Sequence, residues 1–365
     1  MTRHATSFAR RLPSLGRFTL AALVLACTLS CEKQPAAPAS PSSSSEAPSE
    51  KPDKQLRIAV VPKGTTHEFW RTVQSGAARA AADLDVEMSF RGPEREDDRA
   101  QQISLVQNLI GSGRYDAIVL APLDNRALVG PVKEAKAADI PVVIFDSGLD
   151  ESLARPGVDF VSFVATDNKQ GGKLAGETLA AALPAGGKVL LLRYAEGSAS
   201  TLLREEGFIE AISARSDITL LDPKRYAGAT RATAQEAAEN LLTANSDIAG
   251  VFCSNESATF GMLLALRSRG LAGKVKFVGF DSSDAFIQAL AAGEMHAFVI
   301  QNPARMGELA LRAAVDHVKG IAVEPIIDTG VAVVTAENVN SPEISAIIRP
   351  PALVAPPTPA PAGSQ

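Results

Sequence analysis

Ile58-Ala59-Val60-Val61-Pro62-Lys63-Gly64-Thr65-Thr66-His67-Glu68-Phe69-Trp70 is the stretch whose reading decides the fold. Four consecutive apolar residues bounded by Pro and Gly suit a short strand covered on both faces, and strands covered on both faces belong to parallel sheets. The residues after Gly64 read as a helix start, with Thr65 and Glu68 at the spacing of a capping box. Lys63, His67 and Trp70 then gather where a parallel strand hands over to a helix. At that carboxyl end of an open α/β sheet the loops diverge and leave a crevice in which ligands bind.

The pattern recurs every 25 to 30 residues: an apolar run, a polar loop, then an Ala-rich helical stretch. Further strands are expected at 86–90, 117–120, 142–145, 160–164, 188–192, 218–221, 249–253, 275–280 and 296–300. Between them, helices such as 99–110, 171–183, 233–242 and 285–292 carry apolar residues at three- and four-residue spacing, so one face of each can cover a sheet. Alternating strands and helices mean βαβ units and parallel sheets, an α/β fold. With 365 residues and 46% apolar content, the chain is long enough for two lobes at about 150 residues each.

The residues that come after these strands share one chemistry: Lys63, Asp124-Asn125, Asp146-Ser147, Asn255-Glu256, Asp281 and Gln301. Amides, carboxylates and a cation on one rim can fix the orientation of a polyhydroxylated ligand, whose every hydroxyl donates and accepts. Pro303 cannot donate to a ladder, so regular pairing should stop after Gln301 and free the chain to change lobes.

In this order the motifs resemble those of the ribose- and arabinose-type periplasmic sugar-binding proteins of ABC transporters. They are Gly64-x-x-x-x-Phe69-Trp70, Asp116 to Pro122, Ile140 to Asp146, Thr166-Asp167-Asn168-x-x-Gly171, Arg204-x-x-Gly207-Phe208, Ser254-Asn255-Glu256, Val278 to Asp281 and Gln301-Asn302-Pro303-x-x-Met306-Gly307. The resemblance covers about Leu56 to Pro350. It implies two Rossmann-like, doubly wound lobes joined by a three-strand hinge, 56–163 with 302–329 and 164–301 with 330–348, and a sugar in the cleft. It implies that Phe69 and Trp70 stack on the sugar, that Asp146, Arg204, Asn255, Asp281 and Gln301 bond its hydroxyls, and that Lys63 contacts the ligand. It also implies an ABC permease as partner and a monomer. The chain departs from ribose binders at Ser147, where they have arginine, and the loop Tyr194-Ala195-Glu196-Gly197-Ser198 has no assigned sugar contact.

Arg3, Arg10, Arg11 and Arg17 precede an apolar run over 18–30 that is too short to span a bilayer and reads as an export signal. Cys31, after Thr28-Leu29-Ser30, resembles the acylated cysteine of a bacterial lipoprotein, with Cys27 as the competing site. Residues 32–55 are nearly all Pro, Ala, Ser, Glu and Lys, a tether whose mean reach is roughly 25 to 30 Å. The tail 349–365 is Pro- and Ala-rich.

Other functions have less support. A net charge of −5 with no Lys/Arg run argues against nucleic acid as a partner. The export signal stands where a lac-repressor-type regulator would carry its DNA-binding headpiece. Four histidines without a cluster and no paired cysteines offer no metal or cofactor site, and Cys253 reads as a small buried hydrophobe. A hydrolase would rest on Asp146 and Asp281 alone. A sensory module that signals to a receptor or histidine kinase is the alternative to transport. Each singled-out residue also has a structural reading: Trp70 as core, His67 as a solvated first-turn residue, Asp281 as cap of a helix starting near Ser282, and Arg204 as a surface partner of Glu205 or Glu206. If Trp70 is a platform, Trp70→Ala should weaken binding and leave the fold intact.

Overall fold

The computed structural model describes residues 55–350. The expected signal, Cys27, Cys31, nearly all of the tether and the tail beyond Pro350 lie outside them. Among the described residues no helix is long and apolar enough to cross a membrane.

The chain alternates strand and helix as the apolar runs require. In the first half it runs β1 (Arg57–Val61), α1 (Glu68–Leu84), β2 (Glu87–Phe90), α2 (Arg99–Ser112), β3 (Ala117–Leu120), α3 (Val129–Ala137), β4 (Val142–Phe145) and β5 (Ser162–Ala165). The second half continues as α4 (Asn168–Ala181), β6 (Gly187–Leu192), α5 (Ala199–Ser213), β7 (Ile218–Leu221), α6 (Arg231–Ala244), β8 (Ile248–Cys253), α7 (Glu256–Ser268), β9 (Lys276–Phe280), α8 (Asp284–Ala291) and β10 (Ala297–Gln301). Then come α9 (Pro303–Val318), β11 (Ile326–Asp328), β12 (Val331–Val334) and α10 (Pro342–Ile348).

Two six-stranded sheets result, ordered β2-β1-β3-β4-β5-β11 and β7-β6-β8-β9-β10-β12. All pairings are parallel except that of β12 with β10. Each sheet has helices on both faces: Ile58 and Val60 of β1 pack into one apolar cluster with α1 and α9, Ala59 and Val61 into another with α2 and α3. This double coverage is why β1 is uninterruptedly apolar from Ile58 to Val61. Each of the Ile and Val side chains among them contributes roughly 1.5 to 3 kcal/mol on burial.

The chain passes between the sheets three times: after β5, after β10 at Asn302, and between β11 and β12. Asn302 caps α9 by accepting from Arg305 N at 3.1 Å, with Pro303 in the first turn where a missing N–H costs nothing. Thr166 Oγ1 lies 3.2 Å from Thr329 Oγ1 and donates to the Gly330 carbonyl at 3.2 Å, which ties the first and third crossings together.

Helices α4 and α5 approach backbone to backbone, and glycine permits it. A Cβ on Gly172 of α4 would stand 1.8 Å from the Arg204 carbonyl, and one on Gly207 of α5 would stand 2.0 Å from that of Lys169. The α4–α5 contact thereby fixes the backbone of Arg204.

The helix after β1 starts differently from the expected capping box. His67 is its N-cap, without a side-chain cap bond, and Glu68 is the first helical residue. Thr65 Oγ1 instead donates to the Pro93 carbonyl at 3.3 Å, because 62–67 stays an open loop laid against 93–96. Other element ends shift by up to three residues from the expected ones, as with α4, which starts at Asn168.

Candidate functional site

All eight candidate residues, Lys63, Phe69, Trp70, Asp146, Arg204, Asn255, Asp281 and Gln301, line one cleft between the sheets. The cleft holds about 340 Å³ of atom-free space. His67, Glu96, Tyr194, Ser200, Thr201 and Glu256 complete its wall. Asp124 and Asn125 lie outside it: Asp124 pairs with Arg99 at 2.9 Å, and Asn125 N donates to the Gly197 carbonyl at 2.9 Å.

On the first-lobe side, Lys63 Nζ is 2.9 Å from Asp146 Oδ2 and donates to Ser200 Oγ at 3.0 Å. Asp146 stands one residue past β4 with φ 60°, a left-handed conformation that aspartate tolerates better than most residues. Glu96 gathers three donors. Its Oε1 accepts from Trp70 Nε1 at 2.7 Å and lies 2.7 Å from His67 Nδ1, while its Oε2 accepts from Tyr194 Oη at 2.8 Å. Burial acts to raise Glu96, but the charge and hydrogen bond of His67 outweigh it and hold the carboxyl down at about 2. Burial likewise opposes charging of His67, and the charge and hydrogen bond of Glu96 raise the imidazole to about 9. His67 is therefore an ion-paired wall residue of the cleft, not a solvated first-turn residue.

Trp70 is 2% exposed and belongs to the first-lobe core, with Phe145 edge-on at 6.0 Å and Phe69 edge-on at 4.9 Å. It borders the cleft and fills the core at once. Trp70→Ala would leave a cavity, so the expectation that this change spares the fold does not hold.

The second-lobe side is knit within itself. Arg204 is 2% exposed, and the surface pairing with Glu205 or Glu206 is not formed. Its Nε donates to Asn168 Oδ1 at 2.8 Å and its Nη1 to the Ser254 carbonyl at 3.0 Å, with the guanidinium 4.0 Å from the Phe280 ring centre. Asp281 has φ 67°, accepts from Gln301 Nε2 at 2.8 Å and from Glu256 N at 3.0 Å, and has Arg204 at 3.9 Å. It thus caps α7, and Ser283 caps α8 by accepting from Phe286 N at 3.4 Å. Burial pushes the Asp281 carboxyl up and the Arg204 guanidinium down, each away from its charged form.

Asn255 Oδ1 accepts from Ala258 N at 3.2 Å, so its side chain caps α7 as well as bordering the cleft. Beneath this wall, Arg193 Nη1 donates to Glu205 Oε2 and its Nη2 to Asp222 Oδ2, both at 2.7 Å. Glu205 Oε1 in turn accepts from Tyr194 N and Ser254 Oγ, both at 3.0 Å, and so fixes the loop that carries Tyr194.

Two buried oxygens on the cleft wall have no hydrogen-bond partner among the described residues, Gln301 Oε1 and Glu256 Oε2. A neighbouring pocket shares Phe69, Asp281 and Gln301 with the cleft and opens along α8 and α10. Sequence reasoning singled out neither Tyr194 nor Glu96 as site residues. Tyr194 had a signal, because it stands two residues past β6 as Lys63 stands two past β1.

A sequence model of the periplasmic binding protein domain matches residues 58–322. The D-ribose/D-allose-binding protein of Pseudomonas aeruginosa is 32% identical over 295 residues, 79% of this chain and 91% of that one. The D-allose-binding periplasmic protein of Escherichia coli is 32% identical over 270 residues, 73% of this chain and 86% of that one. Among solved structures, an ABC transporter solute-binding protein from Agrobacterium vitis with bound D-fucose superposes with a TM-score of 0.77 at 35% identity, covering 80% of this chain and 99% of the other. The domain match over 58–322, together with two sheets of one strand order that face each other across polar strand ends, places this chain in the periplasmic binding protein family.

Proposed function

We propose that this protein captures a neutral monosaccharide between its lobes and delivers it to an ABC transporter permease, binding without catalysis. The observation that carries this reading is the balance of charge in the cleft. Lys63, His67 and Arg204 line the cleft with Glu96, Asp146, Asp281 and Glu256, and Arg231 pairs with Glu256 from outside the lining, so each carboxylate has a cation beside it and an uncharged ligand rich in hydroxyls fits better than a sugar acid or an amino sugar. Relatives named for ribose and allose, and structures with bound D-fucose and D-arabinose, support a sugar.

In this reading Asp146, Arg204, Asn255, Asp281 and Gln301 orient the hydroxyls, and Lys63 bridges Asp146 to the ligand. Phe69, partly buried beside Trp70, covers the apolar ring face. The lobes, 56–163 with 302–329 and 164–301 with 330–348, close about the three crossings, and closure excludes water from the charged groups. Export follows from the family. The anchor at Cys31 and a monomeric state complete the proposal: a tethered domain needs only to meet the permease within the reach of its linker.

A thermal-shift screen tests it, since a ligand stabilises by RT ln(1 + [L]/Kd). Neutral pentoses and hexoses should raise the midpoint, and sugar acids and amino sugars should not. A shift with the charged sugars alone would refute the neutral-ligand reading. For the anchor, Cys31→Ser should move the protein from membrane to soluble fractions, whereas loss of membrane association with Cys27→Ser alone would transfer the assignment.

A further inference from the structure

Glu256 is the first residue of α7 and is 2% exposed. Its backbone N–H donates to Asp281 Oδ2 at 3.0 Å, which fixes its place on the wall. One carboxylate oxygen, Oε1, takes the guanidinium of Arg231, itself stacked 4.0 Å from the Phe260 ring centre. The other, Oε2, has no hydrogen-bond partner among the described residues. The nearest cation across the cleft, His67 Nδ1, is 4.0 Å away and already 2.7 Å from Glu96.

A buried carboxylate oxygen without a donor is costly, and such groups call for a specific explanation. Arg231 balances the charge of Glu256 but does not reach Oε2. What is missing is a donor and not a cation. Gln301 Oε1 stands in the same state on the same wall, and Asp281 links the two residues by accepting from both.

We propose that Glu256 is a specificity-determining residue that accepts a hydrogen bond from one hydroxyl of the sugar through Oε2, beyond its service as the anchor of Arg231. The inference rests on the sugar reading above. Glu256 then sets which stereoisomer is taken, because only a hydroxyl directed at Oε2 from the ring position facing α7 satisfies it.

The test is a cycle in which both protein and ligand are trimmed. D-Allose, D-ribose, D-arabinose and D-fucose are titrated calorimetrically into the protein, and the tightest binder is repeated with its complete set of monodeoxy analogues. Glu256→Ala and Glu256→Gln receive the same series. Glu256→Ala should weaken the parent sugar about 10- to 100-fold. One analogue, impaired with the unmodified protein, should bind Glu256→Ala as well as the parent does. Glu256→Gln keeps an acceptor of similar shape, should recover part of the affinity, and carries the test if the alanine variant fails to fold. Equal deoxygenation penalties at every position in variant and unmodified protein would overturn the proposal and leave Glu256 as the anchor of Arg231. If none of the four sugars binds the unmodified protein, the sugar reading fails first and takes the proposal with it.

Discussion

Asp146 and Asp281 occupy one place in two sheets of the same order: each stands one residue past the fourth strand of its lobe, with φ of 60° and 67°. Their partners differ. Asp146 has a cation at 2.9 Å, Lys63, whose other bond crosses to Ser200 of the second lobe. Asp281 is held by an amide and a backbone N–H of its own lobe, with its cation at 3.9 Å. The contrast extends outward. First-lobe groups reach across, from Glu96 to Tyr194 and from Arg99 to the Glu196 carbonyl at 2.7 Å, while Arg204, Asn255, Asp281 and Gln301 are ordered within the second lobe. In the function proposed above, these equivalent positions have diverged into a preformed receptor and a closing half. A preformed half lowers the cost of ordering on binding.

The largest effect expected is on the closing half, because it is built into the core. Trp70→Ala should cost about 3 to 5 kcal/mol of stability in urea denaturation. A loss below about 1 kcal/mol would mean that the indole is chiefly a ligand surface. Next, Asp281→Ala should weaken sugar binding about 100-fold, near 3 kcal/mol, by releasing Gln301 and leaving Arg204 without its carboxylate. An unchanged calorimetric affinity would reduce Asp281 to the cap of α7.

Tyr194→Phe removes one bond between the halves and should cost about tenfold in affinity, through closure and not through ligand contact. Small-angle scattering should then show a larger radius of gyration for the variant without sugar. The same radius as the unmodified protein would show that Tyr194 holds no closure.

The smallest effect concerns pH. His67 is raised to about 9, so the stability it contributes is complete below its ordinary 6.5 and is lost as pH rises through 9. Glu96 is held at about 2, so its contribution is complete above its ordinary 4.5 and is lost as pH falls through 2. The pair is at full strength between these ordinary values. His67→Asn should flatten the fall in thermal midpoint between pH 6.5 and 9, and an unaltered slope would show that His67 does not carry it.

Much of this was legible in the sequence because strands covered on both faces leave no polar position to blur them. The run Ile58 to Val61 marked β1, and Phe145-Asp146 and Phe280-Asp281 marked both strand-end carboxylates. The capping box misled because Thr65-x-x-Glu68 has the right spacing, yet packing of the loop against 93–96 delays the helix until Glu68. Glu96 was not legible, since it sits in an irregular polar loop after β2 and acquires its role only from His67, Trp70 and Tyr194. Trp70 reads in the sequence as platform or core, and the side chain fills the core and borders the cleft at once because the cleft wall is the end of the core.

The proposed function requires one neutral sugar to be held from both lobes in this cleft. A crystal structure of the protein grown with the sugar of largest thermal shift tests it most directly. A single ring should touch Asp281, Gln301 and Glu256 on one side and Lys63 and Asp146 on the other. A sugar bound elsewhere, or touched by one lobe alone, would contradict it.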